Sequence, residues 1–191
     1  MTADQKIIGL YYRDNPGYVS GGHYLSILSQ LLQKELPALD FSAVAFAKTG
    51  IAMADALIGC FQIKYKDVNG GPVTSTERPI TFIRNVMGKD FNALFNTPPH
   101  PDFPSGHSST AGAAEVIFTN LFGENYAFTN HTYDYLGMPP QSYTSFGDMA
   151  TQIGLARLCA GIHTRYACDA ARVEGQRIAQ NILNDIKFLK E

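Results

Sequence analysis

The sequence predicts an all-α protein, a helical bundle with long active-site loops. Three observations carry that expectation. Leu25, Leu28, Leu32 and Leu36, with Ile27 and Leu31, recur at helical spacing. The stretch Phe41 to Tyr65 is apolar on almost every side, as in a long helix with other helices around it. Strand pairs, internal repeats and low-complexity segments are not discernible. At 191 residues the chain makes one domain, 1–191, long enough to bury a core.

Thr2, followed three residues later by Gln5, is a capping box that opens a short helix through about Tyr11. Arg13-Asp14-Asn15-Pro16-Gly17 ends it with turn chemistry. A second helix starts after Ser20-Gly21-Gly22 and stops at Pro37. Asp40 or Ser42 caps the third, which runs to about Tyr65, and Asn69-Gly70-Gly71-Pro72 marks a loop that extends through Thr76. Ile80 to Met87 reads as a short helix or an extended segment. Thr97 to Phe103 cannot be helical, because its prolines lack donors and force extended geometry on their neighbours. A helix follows Ser105 and runs to Phe122. Gly123 to Tyr143 is aromatic, polar and turn-rich, and reads as a surface excursion or lid over a pocket mouth. Asp148 to Ala160 and Ala170 to Leu189 are the closing helices.

The net charge of -2 offers no basic footprint for nucleic acid. Three cysteines (Cys60, Cys159, Cys168) are too few for a disulfide framework. They read as buried hydrophobes or as one bridge, Cys159 to Cys168. Met1 to Leu10 shows no secretory signal. Phe41 to Ile63 is interrupted by Lys48, Gly50 and Asp55, and so does not read as a transmembrane segment, which needs about 18 nearly uncharged residues.

Pro104-Ser105-Gly106-His107 is the centre of the chemistry. A helix that begins here points free N–H groups forward, which makes an anion site. Ser105 adds a hydroxyl, Gly106 lets an anion approach the backbone, and His107 can give or take a proton. Lys64 at the mouth of an apolar helix, Arg78 before Pro79, and Arg157 are candidate cations. Arg157 and His163 are six residues apart, about 120° on a continuous helix. They converge if the helix ends near Gly161 and His163 turns back.

Lysine, Arg-Pro, Pro-Ser-Gly-His, then Arg-x5-His in this order resembles the signature of the type 2 phosphatidic acid phosphatase and vanadium haloperoxidase superfamily. The closer likeness is to its bacterial haloperoxidase-like branch, through Tyr12-Arg13-Asp14-Asn15-Pro16-Gly17, Pro98-Pro99-His100-Pro101 and Gly161-Ile162-His163. The resemblance implies that Lys64, Arg78 and Arg157 neutralise the oxygens of a bound phosphate or vanadate, with Ser105 and the Gly106 N–H adding hydrogen bonds. It implies that His163 is the axial ligand to vanadium, or the nucleophile to phosphorus, and that His107 is the acid–base group. Two positions depart from the family pattern. Its lysine usually stands seven residues before the arginine, whereas Lys64 and Arg78 are fourteen apart, so residues 69–75 read as an insertion and Lys66 is an alternative donor. The family's aspartate four residues after the histidine is Ala167 here; the nearest carboxylate, Asp169, either orients His163 or caps the last helix.

The resemblance implies a vanadium-dependent haloperoxidase-like enzyme that oxidises halide with hydrogen peroxide at vanadate. An acid-type phosphatase acting through a phosphohistidine, with no cofactor required, uses the same donors. A non-catalytic anion-binding module is the third reading. Relatives of this kind are longer and often exported, so the chain is expected to match their C-terminal, active-site half and to self-associate, as a homo-oligomer that covers exposed apolar helix faces. Its localisation is left open by the sequence.

Overall fold

The computed structural model describes residues 1–14, 17–18, 21–65 and 76–188. Seven α-helices and one pair of short strands occur among them: α1 (Ala3–Tyr11), α2 (Gly22–Glu35), α3 (Leu39–Tyr65), α4 (Pro79–Asn85), α5 (Gly106–Phe122), β1 (Phe128–Asn130), β2 (Gln141–Tyr143), α6 (Phe146–Cys159) and α7 (Arg165–Asp185). The all-α expectation holds. The Thr2–Gln5 capping box is formed. Leu36 closes α2 in the left-handed region, at φ 47°.

Helix α5 lies at the centre, packed against α3, α6 and α7. Small residues let α5 and α7 cross with their backbones nearly touching. A Cβ on Gly112 would lie 2.1 Å from the Arg172 carbonyl oxygen, and one on Gly175 would lie 1.9 Å from that of Ser109. Ala111, Ala113, Ala114, Ala167 and Ala171 are fully buried around this crossing. Arg172 of α7 clasps Glu115 of α5 through two hydrogen bonds of 2.8 and 2.9 Å.

Four expectations are corrected. First, β1 and β2 pair antiparallel, with Phe128 opposite Tyr143, although no strand pair was expected. Three residues per strand are too few for an alternating pattern to stand out. Second, the segment 123–143 is no surface excursion: Phe128, Asn130, Thr132, Tyr133 and Tyr143 are buried and join the core. Third, α3 is not surrounded. One stripe, including Ala45, Thr49, Ala52, Ala56, Cys60 and Lys64, is buried against α2, α5 and α7, while Phe46, Ile58, Phe61 and Ile63 are exposed. By length and composition it is also the single helix among the described residues capable of crossing a membrane. Fourth, α7 begins at Arg165, five residues early, because Thr164 accepts a hydrogen bond from the Ala167 N–H and caps it. All three cysteines are free, so no Cys159–Cys168 bridge exists. The loop expected at 69–75 lies outside the described residues.

Candidate functional site

The site forms where the Pro-rich approach meets α5. The Phe103–Pro104 peptide is cis, and Ser105 has extended geometry as the N-cap of α5, accepting from the Ser108 N–H at 3.4 Å. Its own N–H donates to the Ala167 carbonyl at 3.0 Å, tying this turn to the start of α7. Gly106 is the first helical residue, so its N–H has no intrahelical partner.

Three buried cations approach this turn. Lys64, on the last turn of α3, donates to the Pro101 and Asp102 carbonyls at 2.6 and 3.2 Å. Arg78, the N-cap of α4, donates from Nε to the His100 carbonyl and from one terminal nitrogen to the Ile162 carbonyl, both at 2.7 Å. Its other terminal nitrogen donates to His100 Nδ1 at 2.9 Å. Arg157, in the last turn of α6, donates to the Tyr12 carbonyl and lies 5.6 Å from the Phe95 ring centroid. Its Nε is buried with no hydrogen-bond partner among the described residues. Burial lowers Lys64 to about 8 and Arg157 to about 10. The carboxylates of the site pair with histidines and not with these cations: Asp14 with His23 and His107, Asp102 with His163.

Gly161, at φ 72°, breaks the chain direction after α6 and returns His163 to the site, as the spacing required. His163 is 4% exposed, with Nδ1 2.7 Å from Asp102 Oδ1 and one Arg78 terminal nitrogen 3.1 Å from Nε2 and 3.4 Å from Nδ1. Burial, aided by Arg78 and Arg157, pushes it down to about 3, so the ring is neutral. His107 is anchored through Nε2 to Asp14 Oδ2 at 3.0 Å. Burial and then Arg157 lower its pKa, while Asp14 opposes them. The other Asp14 oxygen accepts from His23 Nδ1 at 2.9 Å and from the Tyr133 hydroxyl at 2.6 Å. Asn130 donates to His23 Nε2 at 2.9 Å. Burial works against ionisation of Asp14, yet the bonds from His107 and His23 prevail and hold its carboxyl far below the usual range.

Lys64, Arg78, Ser105, Gly106, His107, Arg157 and His163 are thus neighbours. Asp169 is not among them: it is exposed on the first turns of α7 and neither orients His163 nor caps the helix. Lys66, the alternative lysine, lies outside the described residues. Sequence reasoning missed Asp102 and Asp14. Asp102 sits three residues before Ser105 in the Pro-rich approach, and that closeness is a usable signal; Asp14 is distant in sequence and reaches His107 only through the fold.

A family model, the VCPO second helical-bundle domain, matches residues 44–190. Among solved structures, a bacterial vanadium-dependent iodoperoxidase aligns with a TM-score of 0.88 and 27% identity over 99% of this chain and 45% of its own. A bacterial vanadium-dependent chloroperoxidase in its holo form aligns with a TM-score of 0.67 and 15% identity over 94% of this chain and 43% of its own. Its apo form gives 0.64, 14%, 95% and 45%. The chain spans less than half the length of these relatives. No curated protein matches.

Proposed function

Because the chain belongs to the family of the VCPO second helical-bundle domain, within the haloperoxidase-like branch of its superfamily, we propose that it carries the vanadate site of a vanadium-dependent haloperoxidase-like enzyme, one that oxidises halide with hydrogen peroxide. The observation that carries this reading is the set of buried cations without carboxylate partners. Lys64 and Arg157 are each 2% exposed and Arg78 is 6% exposed. A buried, uncompensated ion costs several kcal/mol, which an anionic ligand offsets. The unpartnered Arg157 Nε is a donor waiting for one of its oxygens. This donor set fits an oxyanion such as vanadate.

In this reading Lys64, Arg78 and Arg157 would hold the oxygens of the anion, and the arginine forks would set its orientation. Ser105 and the Gly106 N–H complete the cradle at the positive end of α5. His163 would hold the group through Nε2. Vanadate, when bound, supplies a Lewis-acidic centre that activates peroxide toward halide. His107, held by Asp14 through Nε2, would exchange a proton through Nδ1. Burial and Arg157 lower its pKa, which favours the proton-accepting form of the ring.

A phosphatase reading of the same pocket is favoured by one observation: Asp102 lies against His163 Nδ1, so the histidine has the carboxylate support a nucleophile needs. Two assays on one sample separate the readings. The first reads halide oxidation by peroxide after vanadate loading; the second reads hydrolysis of a chromogenic phosphomonoester without vanadate. Halide oxidation that disappears in His163→Ala is the expected result. Hydrolysis alone sinks the haloperoxidase reading, and silence in both, with vanadate still raising the unfolding temperature, identifies a binding module.

A further inference from the structure

We propose that Asp102 is the positioning residue of His163, fixing its tautomer from the strap before α5 in place of a carboxylate on α7. The inference rests on the reading of His163 as the ligand-bearing histidine, and it goes beyond it by naming what aims the ring. One contact fixes the proton. A carboxylate only accepts. Asp102 Oδ1 lies 2.7 Å from Nδ1, whereas one Arg78 terminal nitrogen lies 3.1 Å from Nε2 and 3.4 Å from Nδ1 and so does not choose between them. The carboxylate is satisfied when Nδ1 carries the hydrogen, and in the neutral ring Nε2 then keeps its lone pair. That tautomer leaves Nε2 as the nitrogen for ligation.

Asp102 is itself immobilised on every side. Its Oδ2 accepts from the Thr164 hydroxyl at 2.6 Å, and the Thr164 N–H donates to Oδ1 and Oδ2 at 3.3 and 3.4 Å. Thr164 caps α7, so the carboxylate sits before a helix N-terminus, where the dipole favours negative charge. The Asp102 N–H donates to the Thr76 carbonyl at 3.1 Å, and its own carbonyl accepts from Lys64. The neighbouring His100 and Pro101 carbonyls hold Arg78 and Lys64. One strap, His100-Pro101-Asp102, therefore aligns two cations with its backbone and the histidine with its side chain. Ala167 carries no carboxylate at the α7 position, and Asp169 points into solvent, so no competing orienter is present among the described residues.

The test uses protein labelled with ¹⁵N-histidine, without vanadate, the His163 resonances being those lost in His163→Gln. Wild type is expected to carry the His163 proton on Nδ1. Asp102→Ala is expected to move it to Nε2 and to weaken vanadate binding by about 10–100-fold, as loss of a partner behind a metal-binding histidine does. Asp102→Asn, whose amide oxygen still accepts from Nδ1, is expected to fall between them, and it decides the matter if the alanine variant does not fold. A wild-type ring protonated on Nε2 overturns the proposal. So does an unchanged tautomer in both variants, even with lowered stability. Because the tautomer is read without vanadate, a wild type that fails to bind vanadate refutes the functional reading and leaves this series decisive.

Discussion

Lys64 is the residue whose charge the site regulates most directly. Burial lowers it to about 8 in the free protein, and an anion beside it favours the charged form and raises it again. The free protein then loses the proton through about pH 8 while the complex keeps it. Affinity for phosphate or vanadate is expected to fall as pH rises above about 8, and Lys64→Met is expected to flatten that part of a calorimetric pH series relative to wild type. The same depression has a stability consequence in the opposite sense. Between about 8 and the ordinary lysine range the unfolded chain binds more protons than the folded one, so this group's contribution to stability rises with pH there. Asp14 supports three donors, His23, His107 and Tyr133. Asp14→Ala strands all three in the interior and is expected to lower stability by about 3 kcal/mol, measured by urea unfolding. Arg78, Arg157 and the two histidines were legible in the sequence because each sits in a short motif, whereas Lys64 was marked only by its place at the end of an apolar helix, away from the family's usual spacing. The carboxylates were not. Asp102 and Asp14 act through contacts across 61 and 93 positions, and no local pattern encodes such distances.

At the scale of elements, the α5–α7 crossing decides how tightly the Pro-Ser-Gly-His turn is held against the cap of α7. Gly175→Ala would gain about 1 kcal/mol of helix propensity. It would also place a methyl 1.9 Å from a backbone oxygen that no rotamer change can move, an overpacking cost of about 3 kcal/mol. The clash wins, and a net loss of about 2 kcal/mol is expected from thermal or denaturant unfolding. An unchanged midpoint would mean that the helices can part freely. Helices with one strong pattern, such as α2 and α5, were legible before the fold was known. The start of α7 was not, because Asp169 offered a cap ahead of Ala170, whereas Thr164 holds that place. The 123–143 segment misled for a related reason. Its turns and polar residues resemble a loop, yet its Tyr126 stacks on Phe146 of α6 and its Phe128 packs against the same ring, which joins the segment to the core.

At the scale of the molecule, α3 leaves Phe46, Ile58, Phe61 and Ile63 exposed. Self-association through it is expected in light scattering, with Ile58→Glu shifting the protein toward monomer. A wild type that is already monomeric at high concentration contradicts this. The chain corresponds to about 45% of the iodoperoxidase it aligns with. The bundle places Lys64, Arg78, Arg157, His107 and His163, drawn from five separate stretches, around the N-terminus of one central helix. Equilibrium dialysis against vanadate tests that arrangement most directly. One vanadate per chain, lost in His163→Ala and displaced by phosphate, is the result expected; no binding, or binding indifferent to His163→Ala, would contradict it.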